Sequence, residues 1–140
     1  MILLDTNVLS ALMMATPDPV ALIWLDLQKP SEIWTTAISV FEIRFGLARL
    51  AVGRRRQALE GAFTDLITVD LAGRIAPVER AAADAAGVLA ADRQAAGRPV
   101  DVRDTLIAGI AIAHRADIAT RNVGHFSDLS VRVLDPWAGG

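Results

Sequence analysis

The stretch Met1-Ile2-Leu3-Leu4-Asp5-Thr6-Asn7 decides the fold. Its apolar run predicts a buried first strand over Ile2–Asp5, too short and too unbroken to be a helix. Thr6 or Asn7 then caps a helix through about Ala15, which makes a plain capping role for Asp5 redundant, and Thr16-Pro17-Asp18-Pro19 breaks it. A strand followed at once by a helix delivers Asp5 to the carboxyl edge of a sheet. Open α/β sheets place their ligand sites at that edge.

Working outward, the same alternation recurs. A second helix covers Val20 to about Leu27, Ile33–Thr36 reads as a short strand, and a helix follows from about Ser39 to Leu50. Gly53 and Arg54-Arg55-Arg56 open another helix to about Leu66, and Thr68–Leu71 has the β-branched content of a third strand. An alanine-rich helix is predicted over Ile75–Ala95, with Pro77 tolerated in its first turn. A last helix spans Val102–Arg115, and Asp117–Thr120 and Val131–Leu134 supply two more strands. Strands alternating with helices predict an α/β fold with a parallel sheet between helical layers. No linker or repeat divides the chain, so residues 1–140 are expected to form one domain.

The bulk numbers agree. A 140-residue chain with 53% hydrophobic residues can bury a substantial core. The longest apolar run, Leu106–Ala113, is far short of the ~20 residues that span a bilayer, so no membrane contact is expected. With no cysteine there are no disulfides or thiolate metal sites, which fits a cytoplasmic location. The net charge of −2 argues against indiscriminate nucleic-acid binding. If three carboxylates hold a cation, however, thirteen acids face fourteen bases and that argument lapses. All the bases but Lys29 are arginines, which grip phosphates and carboxylates in a bidentate manner.

Two further acids interrupt apolar patterns. Glu42 lies in Phe41-Glu42-Ile43-Arg44-Phe45-Gly46-Leu47, where the neighbouring apolar residues predict little solvent. Ser39-Val40-Phe41-Glu42 also matches an S-x-x-E capping box, a simpler role for Glu42. Its place directly after the second strand nevertheless points it to the edge that holds Asp5. Asp104 introduces a helix apolar on every face, where the helix dipole favours an anion. Asp101, three residues earlier, is either the cap or a supporting acid. Buried carboxylates are costly unless paired or bound to a cation. Asp5, Glu42 and Asp104 are therefore expected to share one metal. Oxygen ligands without Cys or a His cluster favour Mg2+ or Mn2+. Such a cation orients a phosphodiester and lowers the pKa of an attacking water.

These pieces, taken in order, resemble a PIN-domain ribonuclease of the VapC type, the toxin of a type II toxin–antitoxin pair. The matching segments are Leu4-Asp5-Thr6-Asn7-Val8-Leu9, Ser39 to Leu47, Arg103-Asp104-Thr105-Leu106-Ile107-Ala108 and Ala119-Thr120-Arg121-Asn122. The ending Asp135-Pro136-Trp137 is similar to FitB-like members. The resemblance implies a three-layer α/β/α fold with a mostly parallel sheet, and Mg2+- or Mn2+-dependent cleavage of RNA by metal-activated water. It also implies homodimerisation, neutralisation by a cognate antitoxin, and assembly with that antitoxin on operator DNA. Asp5, Glu42 and Asp104 match the family's first three acids, whereas the fourth position carries Asn122, a neutral and weaker ligand. Thr6, Asn7, Ser39, Asp101 and Thr120 are the expected supporting residues. His125 suits acid–base work by its ordinary pKa, against the simpler role of a packing histidine beside Phe126. His114 reads as a partner of its own helix's C-terminal dipole. Arg54–Arg56 either meet phosphate or antitoxin acids, or simply open a solvated helix. Gly46 costs its helix about 1 kcal/mol relative to alanine, for which close helix packing or a dimer contact is the expected reason.

Two rivals remain at this level. A haloacid-dehalogenase-type phosphatase also begins with an aspartate after its first strand. That chemistry needs a second acid where Asn7 stands, and a later lysine that this chain lacks. The other rival is a catalytically decayed PIN-like module that binds RNA or antitoxin without cutting, for which Asn122 is the best support.

Overall fold

A computed structural model describes residues 1–138, so the last two residues of the expected domain lie outside it. Five parallel strands form the sheet: β1 (Ile2–Leu4), β2 (Ile33–Thr36), β3 (Ile75–Ala76), β4 (Asp117–Ala119) and β5 (Val133–Leu134). Their spatial order is β3-β2-β1-β4-β5. β1 is thus central, with Leu4 beside Thr35 on one side and Ala119 on the other. The chain winds outward through β2 and β3, then crosses to the far side of β1. The gap between the carboxyl ends of β1 and β4 is therefore a topological switch point, where α/β sheets open a crevice.

Among the described residues six α-helices cover the sheet: α1 (Thr6–Met13), α2 (Pro19–Asp26), α3 (Ala37–Ala48), α4 (Arg54–Asp65), α5 (Arg80–Ala95) and α6 (Val102–His114). Because side chains alternate along a strand, Ile2 and Leu4 point to one face and Leu3 to the other. The first face packs against Val8, Leu9, Met13, Ile43, Leu47 and Phe63 from α1, α3 and α4. The second packs against Ala82, Ile107, Ile110 and Ala111 from α5 and α6. This is the three-layer α/β/α arrangement, and its sheet is parallel throughout.

Four differences from the sequence reading have physical causes. Residues 68–71 are not a strand: Leu66–Asp70 form a π-helical turn that continues α4, with Leu71 N–H donating to Leu66 C=O at 2.9 Å. That turn buries Leu66 and Leu71 and leaves Val69 in solvent, so packing overrides β-propensity. A turn through Ala72 and Gly73, both at positive φ, then leads into β3. β3 lies in the segment expected to start the long helix, and α5 begins only at Arg80, beyond Pro77. Finally, α3 is capped by Thr36, whose Oγ1 accepts from Ser39 N–H at 3.1 Å, so Ser39 is no cap and Glu42 closes no capping box.

A Cβ at Gly46 would meet nothing within 4 Å outside its own helix, so close helix packing does not explain this glycine; it lines an open groove with Thr6, Ser10, Met13 and Glu42. The close approach is at Gly109 instead. A Cβ there would collide with the Ala82 carbonyl oxygen and lie 2.7 Å from Ala86 Cβ. Gly109→Ala forces α5 and α6 apart and should destabilise the fold by about 1–3 kcal/mol. Gly87→Ala, with open space around it, should instead stabilise by roughly 0.5–1 kcal/mol. Thermal denaturation of the two variants tests the pair: Gly109→Ala must lower the Tm while Gly87→Ala raises it.

Candidate active site at the carboxyl edge

Asp5 leaves β1 with its backbone N–H bonded to Ala119 C=O at 2.9 Å, which fixes it at the switch point. Its Oδ1 accepts from Thr6 N–H at 2.8 Å, so Asp5 itself caps α1, a role the sequence reading gave to Thr6 or Asn7. Its Oδ2 accepts the Thr120 hydroxyl at 2.8 Å and lies 3.4 Å from Asn7 Nδ2. Thr120 is fully buried; its Oγ1 also accepts from Asn7 Nδ2 at 3.1 Å and from Asn122 N–H at 3.0 Å. Asn7 Oδ1 in turn accepts from Arg121 N–H at 3.0 Å. Asp5, Asn7 and Thr120 thus form one unit that joins β1, α1 and the exit of β4.

Glu42 enters from the second turn of α3. Its Oε1 accepts the Thr6 hydroxyl at 3.0 Å, and Thr6 Oγ1 is 3.1 Å from the buried Ser39 hydroxyl. Arg103 Nη1 stands 3.6 Å from Glu42 Oε2. The aromatic neighbours do not seal Glu42 from water: Phe41 and Phe45 are 58% and 51% exposed and stack on each other on the outer face of α3.

Asp104 lies in the first turn of α6. Asp101 is the cap, accepting from Arg103 N–H and Asp104 N–H at 2.9 and 3.1 Å, so the Asp104 carboxylate is left for other work. The His125 ring approaches it, with Nδ1 2.8 Å from Asp104 Oδ2. An ionised carboxylate only accepts, so Nδ1 carries the hydrogen and Nε2 is left open. His125 is therefore joined to the acids; its neighbour Phe126 is the residue in the core. Asn122 is exposed and joins the network through its backbone N–H to Thr120.

The electrostatics bind the three acids together. Burial raises the Asp5 pKa above 3.8; hydrogen bonds from Thr120 and Thr6 oppose the shift, the Asp104 charge adds to it and His125 offsets it. Burial likewise raises Glu42 above 4.5, opposed by the Thr6 hydroxyl and by Arg103, and reinforced by Asp5 and Asp104. Among the described residues, no three such side chains are already gathered as a ready-made cation cage. The donor set still suits a hard divalent cation: carboxylate oxygens, repelling one another across one edge, with hydroxyls and amides to orient them.

Sequence reasoning found this set but missed Arg103, which carries no motif signal beyond its place beside Asp104. It also missed Arg93, whose side chain is 4% exposed and donates to Asp128 at 2.9 Å. Only the partner's position across the fold reveals that pair.

Comparison with known proteins places this geometry in a family. The PIN domain model matches residues 2–131. The chain is 36% identical to VapC ribonuclease Y4jK of Sinorhizobium fredii (strain NBRC 101917 / NGR234), over 98% of each protein. It is 33% identical to toxin FitB of Neisseria gonorrhoeae (strain ATCC 700825 / FA 1090), over 98% of this chain and 99% of that one. It also matches a chain of the structure of FitAB bound to an IR36 DNA fragment with a TM-score of 0.87 and 33% identity, covering 98% of this chain and 96% of that one. A family model that matches nearly the whole chain, and relatives at 33–36% identity over their full length, carry one conclusion: the chain belongs to the PIN-domain family, as a relative of the VapC and FitB proteins.

Proposed function

We propose that the chain, as a single PIN domain, is the toxin of a toxin–antitoxin pair and an endoribonuclease that depends on Mg2+ or Mn2+. The observation that carries the reading is the convergence of Asp5, Glu42 and Asp104, from three separate elements, on one sheet edge, where the Asp104 charge makes Asp5 harder to ionise and both make Glu42 harder to ionise. These three carboxylates would hold the cation, with Asn122 beside them. Once bound, it would supply charge neutralisation at a phosphodiester and a more acidic water. Thr120 and Asn7 fix the Asp5 oxygens, and Thr6, backed by Ser39, fixes Glu42. Asp101 holds the first turn of α6, and so the Asp104 backbone, in place. His125, held by Asp104, can take up or release a proton at Nε2. Arg103, 3.6 Å from Glu42, supplies a cation at this edge for a substrate phosphate. A ribonuclease and a toxin at 36% and 33% identity support the assignment. The FitAB–DNA complex supports a protein partner and joint binding to DNA. On the family resemblance, that partner is a cognate antitoxin, the DNA is its operator, and homodimerisation completes the proposed assembly. Asn122 in place of a fourth acid favours one alternative, a PIN module that binds RNA or antitoxin without cutting. A metal titration separates the two.

The purified chain should cleave single-stranded or loop RNA only with Mg2+ or Mn2+. Asp5→Asn, Glu42→Gln and Asp104→Asn should each bring cleavage below detection, and His125→Ala should lower kcat about 100-fold. If the acid variants cut as fast as the parent, the site assignment is wrong.

Added Mn2+ should raise the Tm of the parent, because a ligand that binds only the folded state stabilises it. It should leave Asp104→Asn almost unmoved. An equal rise in both would place the cation elsewhere.

The pH dependence of the metal-free chain has a definite sign. Asp5 has a raised pKa in the fold, so the folded state binds more protons than the unfolded one and stability falls as pH rises from the ordinary carboxylate value through the folded one. Asp18, Glu32 and Asp128, with lowered pKa values, slope the other way. The informative quantity is therefore the difference between parent and Asp5→Asn. Urea denaturation across pH should show the variant gaining on the parent as pH rises through that window; a constant gap would contradict it.

A further inference from the structure

Arg93, in the last turn of α5, is a buried cation that the proposed chemistry does not use. Its guanidinium forks onto both oxygens of Asp128, Nε to Oδ2 and Nη2 to Oδ1, each at 2.9 Å. Nη2 also donates to the main-chain carbonyl of His125 at 2.9 Å, and Nη1 lies 3.3 Å from Thr105 Oγ1. The Thr105 hydroxyl donates to the Asp101 carbonyl at 2.7 Å, closing the first turn of α6 around Asp104. One side chain thus grips both the segment that carries His125 and the helical turn that carries Asp104.

Stability alone does not account for a charge at this position. Apolar contacts already dock the same segment, since Phe126 is fully buried and Leu129 packs against the α5–α6 core. A buried ion pair adds little net stability over an apolar substitute of the same size. What the fork supplies is direction, because a planar guanidinium with several fixed donors sets carboxylate and carbonyl at defined angles.

We propose that the Arg93–Asp128 pair is the positioning device that sets the His125 ring against the Asp104 carboxylate. His125 is pinned at both ends, its carbonyl by Arg93 and its ring by Asp104. The role in catalysis rests on the reading of Asp104 and His125 given above, whereas the role in geometry does not.

Arg93→Lys is the discriminating variant: it keeps the charge facing Asp128 and loses the fork. In 15N-edited imidazole spectra of the metal-free chain, the parent should show His125 protonated at Nδ1. In Arg93→Lys that ring should move toward the Nε2-protonated form of a free histidine, while the exposed His114 stays unchanged as internal reference. Asp128→Asn, nearly isosteric, should shift the same signal, and it carries the test if Arg93→Lys melts below the measuring temperature. In RNA cleavage, Arg93→Lys should lower kcat by about 10- to 100-fold with KM unchanged, in the range of losses from outer-shell partners. Placed on His125→Ala it should cause no further loss, because a device acting through His125 has nothing left to act on. An unmoved His125 signal in both variants overturns the proposal, as does an equal kcat loss in the His125→Ala background. If the parent cuts no RNA at all, the nuclease reading fails, and the imidazole spectra still decide the positioning role.

Discussion

The Asp5 carboxylate is the interaction on which the rest of the carboxyl edge depends. One oxygen closes the N-terminus of α1; the other takes the Thr120 hydroxyl and faces Asn7. A single side chain therefore joins the central strand, the first helix and the exit of β4. It does so while buried, and burial raises its affinity for a proton. The surroundings answer with neutral donors rather than a close cation: a backbone N–H, a hydroxyl and an amide. Such donors orient a carboxylate without consuming its charge, which keeps that charge available to the proposed cation.

The other two helices of the site solve the same problem differently. α3 and α6 each have a dedicated cap ahead of the acid of interest, Thr36 six residues before Glu42 and Asp101 three before Asp104. A cap is worth about 1 kcal/mol, and in both helices that contribution comes from a residue outside the acid set. Glu42 and Asp104 are thereby released from local duties and reach sideways, to Thr6 and His125. Asp5 alone combines capping with a place among the acids, because the strand ends directly at the helix and leaves no room for a separate cap.

Behind the edge, rigidity comes from close helix packing. α5 approaches α6 at Gly109 until Ala82 and Ala86 touch its backbone, and the buried Arg93 closes the far end of that interface. The C-terminal tail is held in turn: Trp137 Nε1 donates to Asp18 at 3.1 Å, and the Arg121 guanidinium lies 3.7 Å over the indole ring. Both the His125 segment and the tail are thus tied to helices rather than left as free loops.

Much of this was legible in the sequence because it is written in local patterns. β2 has the predicted bounds, α6 begins at the predicted Val102, and the three acids stand out as charges inside apolar runs. β3 was not legible, since two residues carry no periodicity, and the β-branched run just before it is bent into a π-helical turn by the burial of Leu66 and Leu71. Nor was the exposure of Phe41 and Phe45, because a helix's apolar residues do not say which of its faces meets the core.

By itself, then, the sequence determined the alternating α/β order, the acids that interrupt it and the residue types able to cap each helix, all properties of residues close together along the chain. Only the tertiary structure decided that Asp5 would cap, that Ser39 would not, that His125 would meet Asp104 and that Arg93 would find Asp128. Each of those outcomes depends on a partner brought near by the sheet order or by the packing of another element, and neighbouring residues hold no record of it.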